Sequence, residues 1–153
     1  MLFSTDSLAA LPPGKDYSEA FVERGELHDL VETQQVVFLG TGSPQLNYRF
    51  LLEQSHRSNA DPIAHVYFGM RVGAAGVSIR DGYAVMDWQR DDPEVRLQVP
   101  RGYYKVDASW RECTDSLVDM LIALSFAPST TTVSGDGWPY LEFHMDATSS
   151  NEP

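Results

Sequence analysis

Residues 103–111 read YYKVDASWR. Tyr104, Val106, Ala108 and Trp110 alternate with Lys105, Asp107, Ser109 and Arg111. An extended backbone places the first set on one side and the second on the other, and a helix would scatter both. The stretch is therefore read as a half-buried β-strand with an apolar inner face that Trp110 helps to fill.

The same code extends outward. Val95, Leu97 and Val99 alternate with Arg96 and Gln98 before a turn at Pro100-Arg101-Gly102. In MLIALSF, residues 120–126, Met120, Ile122, Leu124 and Phe126 fall at period two ahead of Pro128, which favours strand over helix. Leu141, Phe143 and Met145 alternate with Tyr140, Glu142 and His144. QVVFLG (35–40), NYRFLLEQ (47–54) and IAHVYFGM (63–70) are further strand candidates. In GVSIRDGYAVMD, 76–87, two apolar runs flank Asp81-Gly82, the pair that a type I′ hairpin turn favours. That register predicts Val77, Ile79, Ala84 and Met86 on one buried face with Trp88 beyond them, and Ser78, Arg80, Tyr83 and Asp87 on the other.

One early segment reads as a helix. In DYSEAFVERG, 16–25, Asp16 caps, Glu19 takes the third helical position and Gly25 terminates. About eight or nine short strands with turns between them predict a single all-β domain over 1–153, an antiparallel β-sandwich with one short N-terminal helix. Residues 1–15 read as an N-terminal arm, 127–137 as a polar loop and 147–153 as a flexible tail.

Charge is placed unevenly. The net charge of −11 divides into −5 over residues 1–35, zero over 36–113 and −6 over 114–153. Such a chain repels nucleic acid and anionic membrane and attracts basic surfaces, although acidic ends also serve solubility alone. The N-terminus lacks the basic and long apolar regions of a secretory signal, and no apolar run would span a bilayer. The lone Cys113 excludes an internal disulfide framework and fits a reducing compartment. The expected location is the cytoplasm.

Chemistry-bearing motifs are sparse. His28, His56, His65 and His144 show no metal-ligand spacing. The acidic knot 87–94, DWQRDDPE, lacks the alternating ligands and central glycine of a calcium loop and reads as an exposed turn able to meet a basic partner. Cys113 has no histidine placed beside it by the sequence, and no Gly-x-Ser-x-Gly elbow occurs. GTGSP at 40–44 lacks the lysine of a phosphate loop. SGDGWPYLEF, 134–143, sets Trp138 and Tyr140 beside Asp136 and Glu142, the mixture an interface with a basic protein uses, unless Trp138 simply plugs the end of the sandwich.

DYSEAFVERGELH followed by an apolar strand, a central hairpin, and VPRGYYKV leading into a long strand resemble the competence protein J family over about residues 16–126. The resemblance implies a small inhibitor of a DNA-entry nuclease, related in kind to toxin-immunity β-sandwich proteins. The expectation is a non-catalytic inhibitor, a monomer or weak dimer without cofactor or metal, that binds a basic nuclease or toxin. Its partner-binding candidates are Asp91, Asp92, Glu94, Asp115, Asp119, Asp136, Trp138, Tyr140 and Glu142. The alternative is a carbohydrate- or small-ligand-binding module with Trp88, Trp110 or Trp138 as stacking platform.

Overall fold

The computed structural model describes residues 1–8, 11–17, 26–40, 47–53, 64–111, 117–118, 120–135, 140–142 and 144–145. The elements run β1 (Leu2–Ser4), α1 (Thr5–Leu8), α2 (Glu26–Glu32), β2 (Val36–Gly40), β3 (Tyr48–Glu53), β4 (Ala64–Val72) and β5 (Val77–Ile79). A 3-10 helix (Gly82–Asp87) follows, then β6 (Val95–Leu97), β7 (Gly102–Arg111), β8 (Met120–Pro128), β9 (Tyr140–Glu142) and β10 (His144–Met145). The fold is the all-β sandwich read from the alternation. Its first sheet has the order β6-β5-β1-β2-β9 and its second β10-β4-β7-β8-β3.

Two pairings depart from the antiparallel expectation. β2 with β9 and β3 with β8 are parallel, so both sheets are mixed. The segment expected as one strand near the end divides, and β9 joins the first sheet while β10 joins the second. The predicted helix over 16–25 lies mostly outside the described residues; the described helices are α1 and α2.

The main core lies between the sheets. Leu2, Val37, Leu39, Val77, Ile79 and Leu97 from the first meet Val66, Phe68, Met70, Val106, Ile122 and Leu124 from the second. Trp110 and Phe126 pack against it, half-buried. A second core covers the opposite face of the first sheet. There Met1, Phe3, Val36 and Phe38 meet Leu27 and Val31 of α2 together with Leu11, Tyr17, Val85 and Trp88. β1 and β2 are thus buried on both faces, which is why VVFL carries no polar alternation.

Residues 1–15, expected as an arm, instead supply the central strand of the first sheet. β1 pairs β2 on one side (Leu2↔Val37) and β5 on the other (Leu2↔Ile79). This placement also overturns the 77–86 hairpin. β1 and β6 occupy both edges of β5, leaving no edge for residues 83–86. That segment coils into the 3-10 helix, with Val85 in the second core and Met86 55% exposed. Val77 and Ile79 are buried as expected, Ala84 is only half-buried, and Trp88 belongs to the second core. Two long-range pairings with apolar burial outweigh one local turn preference.

α2 ends in a paired C-terminal motif. Gln34 N donates to Val31 O and Gln35 N to Leu30 O, both at 2.8 Å, with Gln34 at φ 58°. Glycine is the usual occupant of that left-handed position. Here the Gln34 side chain gives a reason for the exception: Tyr103 Oη donates to its Oε1, its Nε2 donates to Val133 O at 2.8 Å, and Val133 N donates to Tyr103 Oη at 2.8 Å. The phenol crosses β4 at Gly69, where a Cβ would lie 2.1 Å from the Tyr103 hydroxyl.

Candidate functional site

Two charged regions stand on opposite sides of the sandwich. The first is built around Arg80, which the hairpin reading put on a mixed face and which is 5% exposed. Its guanidinium lies 4.6 Å from the Trp88 ring centroid and 5.9 Å from that of Phe3. Nη1 donates to Gln89 O at 2.5 Å and Nη2 to Arg90 O at 3.0 Å. Nε and Nη2 both reach Glu94 Oε2 at 3.3 Å, and Nη1 stands 3.5 Å from Asp92 Oδ2. A buried cation is tolerable only when its donors are matched in this way. The amino group of Met1 donates to Arg80 O at 2.9 Å; burial pushes it down to about 6, with Asp81 opposing.

This cluster corrects part of the partner-binding expectation. Asp92 and Glu94 fold back onto Arg80, and Arg96 Nε also donates to Glu94. Burial works to raise the Glu94 carboxyl, but the hydrogen bonds from Arg96 and Arg80 outweigh it and hold it below its ordinary value. Asp91 alone of the three is exposed. The knot looks solvated in sequence because the cation that neutralises it precedes it by several residues.

On the same side, α2 turns Leu27 and Val31 inward and leaves Asp29 and Glu32 exposed, with no base in its last turn. Asp115, Asp119, Asp136 and Trp138 lie outside the described residues, as do Cys113, His56 and residues 41–44 of GTGSP. Tyr140 and Glu142 lie in β9, opposite Phe38 and Gly40 of β2. As a stacking platform, Trp88 is corrected, being 1% exposed in the second core; Trp110 packs against the main core and is half-buried.

The second region is the solvent face of the second sheet, which the sequence reading left without a role. Alternation sends Arg49 of β3, Tyr67 and Arg71 of β4, and Tyr103, Lys105 and Arg111 of β7 outward. Four of the chain's 11 bases therefore share this face with Glu53 and Asp107. Lys105 Nζ lies 4.7 Å from the Tyr67 ring centroid and the Arg71 guanidinium 5.9 Å from that of Tyr103. Arg111 forms a two-pronged pair with Glu53, Nη1 to Oε1 at 2.9 Å and Nη2 to Oε2 at 3.1 Å. Small residues on β8, Ala123, Ser125 and Ala127, make a low floor between them.

Among the described residues no three His, Cys, Asp or Glu side chains gather as a preformed metal site requires, and no helix is long and apolar enough to cross a membrane. Comparison with family models, with curated proteins and with solved structures gave no match.

Proposed function

We propose that the chain is a non-catalytic cytoplasmic binding protein that engages a basic protein of the nuclease or toxin class and blocks it sterically. The observation that carries this reading is the excess of acid, a net charge of −11. On the helical side Asp29, Glu32 and Asp91 face solvent together with Lys15, Arg90 and Arg96, while Arg49, Arg71 and Lys105 lie on the far face of the second sheet. An excess of this size draws a basic partner towards the molecule and speeds encounter. The acidic carboxylates would stand where the phosphates of a nuclease's substrate stand. The resemblance to the competence protein J family points to the same class of role. With Trp88 committed to the second core, the glycan-binding alternative has lost one of its three platforms.

The test is association kinetics with a panel of basic nucleases at low and high salt. Asp29→Asn/Glu32→Gln/Asp91→Asn is compared with Asp115→Asn/Asp119→Asn/Asp136→Asn/Glu142→Gln. Exposed charges act mainly on encounter, so one of the two variants should associate more slowly while dissociating at the wild-type rate. Salt should reduce the wild-type rate, because the Debye length shrinks from about 10 Å at 0.1 M to about 3 Å at 1 M. An acidic partner, or wild-type association by both variants at low salt, overturns the reading.

A further inference from the structure

The two sheets end differently at their edges. In the first, the edge strand β6 is three residues long and lies between Pro93 and Pro100, neither of which can donate to a further strand. In the second, β3 is last in the strand order, and among the described residues it pairs only with β8. It is six residues long and holds neither proline nor glycine. Its row of outward backbone groups is a template for another strand. Alternation turns Tyr48, Phe50 and Leu52 towards the main core and Arg49, Leu51 and Glu53 to the solvent face, where Leu51 is 44% exposed. About Leu51 the strand is balanced: an apolar residue on each side, then a cation on one side and an acid on the other.

We propose that β3 is a self-complementary edge that pairs antiparallel with β3 of a second copy of this chain, about a two-fold axis at Leu51. An axis perpendicular to the sheet sets inner positions opposite inner ones, because a slip of one residue would exchange the faces. Leu51 then faces Leu51 of the second copy, and Phe50 faces its Leu52. The ends match as well, since Arg49 of each copy faces Glu53 of the other. Opposed residues lie about 4.5–5.5 Å apart at Cβ, so each charge meets its opposite and each apolar group an apolar one. A shift of two residues sets Leu51 opposite Arg49 in one direction and opposite Glu53 in the other. Charge complementarity therefore selects both the occupant and the register. Neither charge has to leave its present contacts. Arg111 donates once to each oxygen of Glu53, and a carboxylate has lone pairs for further donors. The backbone ladder and the apolar row supply affinity, while the charges supply specificity. Two five-stranded sheets join into one continuous sheet. This interface involves none of the carboxylates of the partner-binding reading, so each stands or falls without the other.

The experiment is sedimentation equilibrium of the untagged full chain over a range of concentrations. An ionic strength of about 0.15 M, where the Debye length is about 8 Å, screens the repulsion between two acidic chains. The wild type should show a reversible monomer–dimer equilibrium. Leu51→Lys and Leu51→Glu each place like charges face to face at the axis, and either alone should dimerise about tenfold or more weakly. Leu51 is exposed in the single chain, so both variants should keep the wild-type urea midpoint. Mixed in equal amounts they should associate more tightly than either alone, because the introduced lysine then faces the introduced glutamate. Val95→Lys, at an exposed position on the edge strand of the first sheet, should dimerise as the wild type does. A wild type still monomeric at about 1 mM overturns the proposal. So does dimerisation of Leu51→Lys at wild-type strength, a mixture no tighter than its components, or loss of the dimer in Val95→Lys.

Discussion

Among the described residues the two sheets have the same number of strands, and their surroundings are opposite. The centre of the first sheet is covered on both faces, by the main core on one and by α2 and its neighbours on the other. The second has one buried face and one in solvent. Its strands β4 and β7 accordingly alternate, while β1 and β2 are buried at nearly every position. Their polar side chains differ in the same sense. Beside the first sheet, most polar groups are enclosed and matched, as in Arg80 with its carbonyls and carboxylates, or Ser4 Oγ accepting from Gly73 N at 2.9 Å, while Trp88 Nε1 is buried without a partner. On the second sheet, Arg71 and Lys105 rest on tyrosine rings at the surface, and only Arg111, paired with Glu53, is enclosed in the same way as Arg80. A side chain enclosed on all sides must find specific partners, whereas one in water may settle for a contact of convenience.

The comparison breaks first at Arg80. Arg80→Met keeps a long stem between Trp88 and Phe3 but leaves Gln89 O, Arg90 O and Glu94 Oε2 without their donor. Removing one partner of such a buried cluster costs about 3–5 kcal/mol, read as a shift in the urea midpoint at unchanged slope. A loss below about 1 kcal/mol would mean that water replaces the guanidinium, and that the knot is as open as its sequence suggests.

Gly69→Ala tests the strand crossing on the other sheet. The added Cβ meets the Tyr103 hydroxyl at 2.1 Å, Val133 O at 2.6 Å and Gln34 Oε1 at 2.7 Å. Overpacking of this kind costs about 1–3 kcal/mol. In a Tyr103→Phe background the nearest of these atoms is gone, so the same substitution should cost less. The difference, obtained from a double-mutant cycle, measures the clasp. Strict additivity would show that Tyr103 does not cross β4 as described.

The second sheet was legible because it is open on one side. Period two in YYKVDASWR and MLIALSF reports a solvent boundary, and from there the class of fold follows. Buried on both faces, Leu2–Ser4 offers no such boundary, and its short run gave no hint that it pairs with Val77–Ile79. That omission misplaced the hairpin, because Asp81-Gly82 speaks only for local chain reversal while β5 answers to two distant strands. The candidate site was hidden for the same reason. Asp92 and Glu94 are plainly acidic in sequence, but their neutralisation by Arg80 is a tertiary fact. Likewise, that Tyr48–Glu53 is an edge strand follows only from the order of the sheet.

Acid should weaken the enclosed side through Glu94. The Glu94 carboxyl is held below its ordinary value of 4.5 in the fold. Its contribution is therefore complete above the unfolded value and drains away as pH falls through the lower, folded one. Stability measured by urea melts from pH 6 downward should decline on the acid side of about 4.5, and Glu94→Gln should flatten part of that decline while starting from lower stability at neutral pH. An unchanged acid slope in Glu94→Gln would place the acid-sensitive contacts elsewhere.

The smallest effect is expected on the solvent face of the second sheet. Lys105→Met keeps the stem over Tyr67 and removes only the charge, so the local loss is that of an exposed cation–π contact, about 0.5–1 kcal/mol. A second contribution comes from the field of the whole molecule, because taking a base from a chain of net charge −11 increases self-repulsion. The two separate with salt: the long-range part is screened, while the ring contact, at 4.7 Å, lies well inside a Debye length. If the destabilisation persists in high salt, the Tyr67–Lys105 contact is its source. If it vanishes, the base serves only to offset the chain's acidity. If it exceeds that of Arg80→Met, the contrast between the two sheets is wrong, and the solvent face of the second carries an enclosed structure of its own.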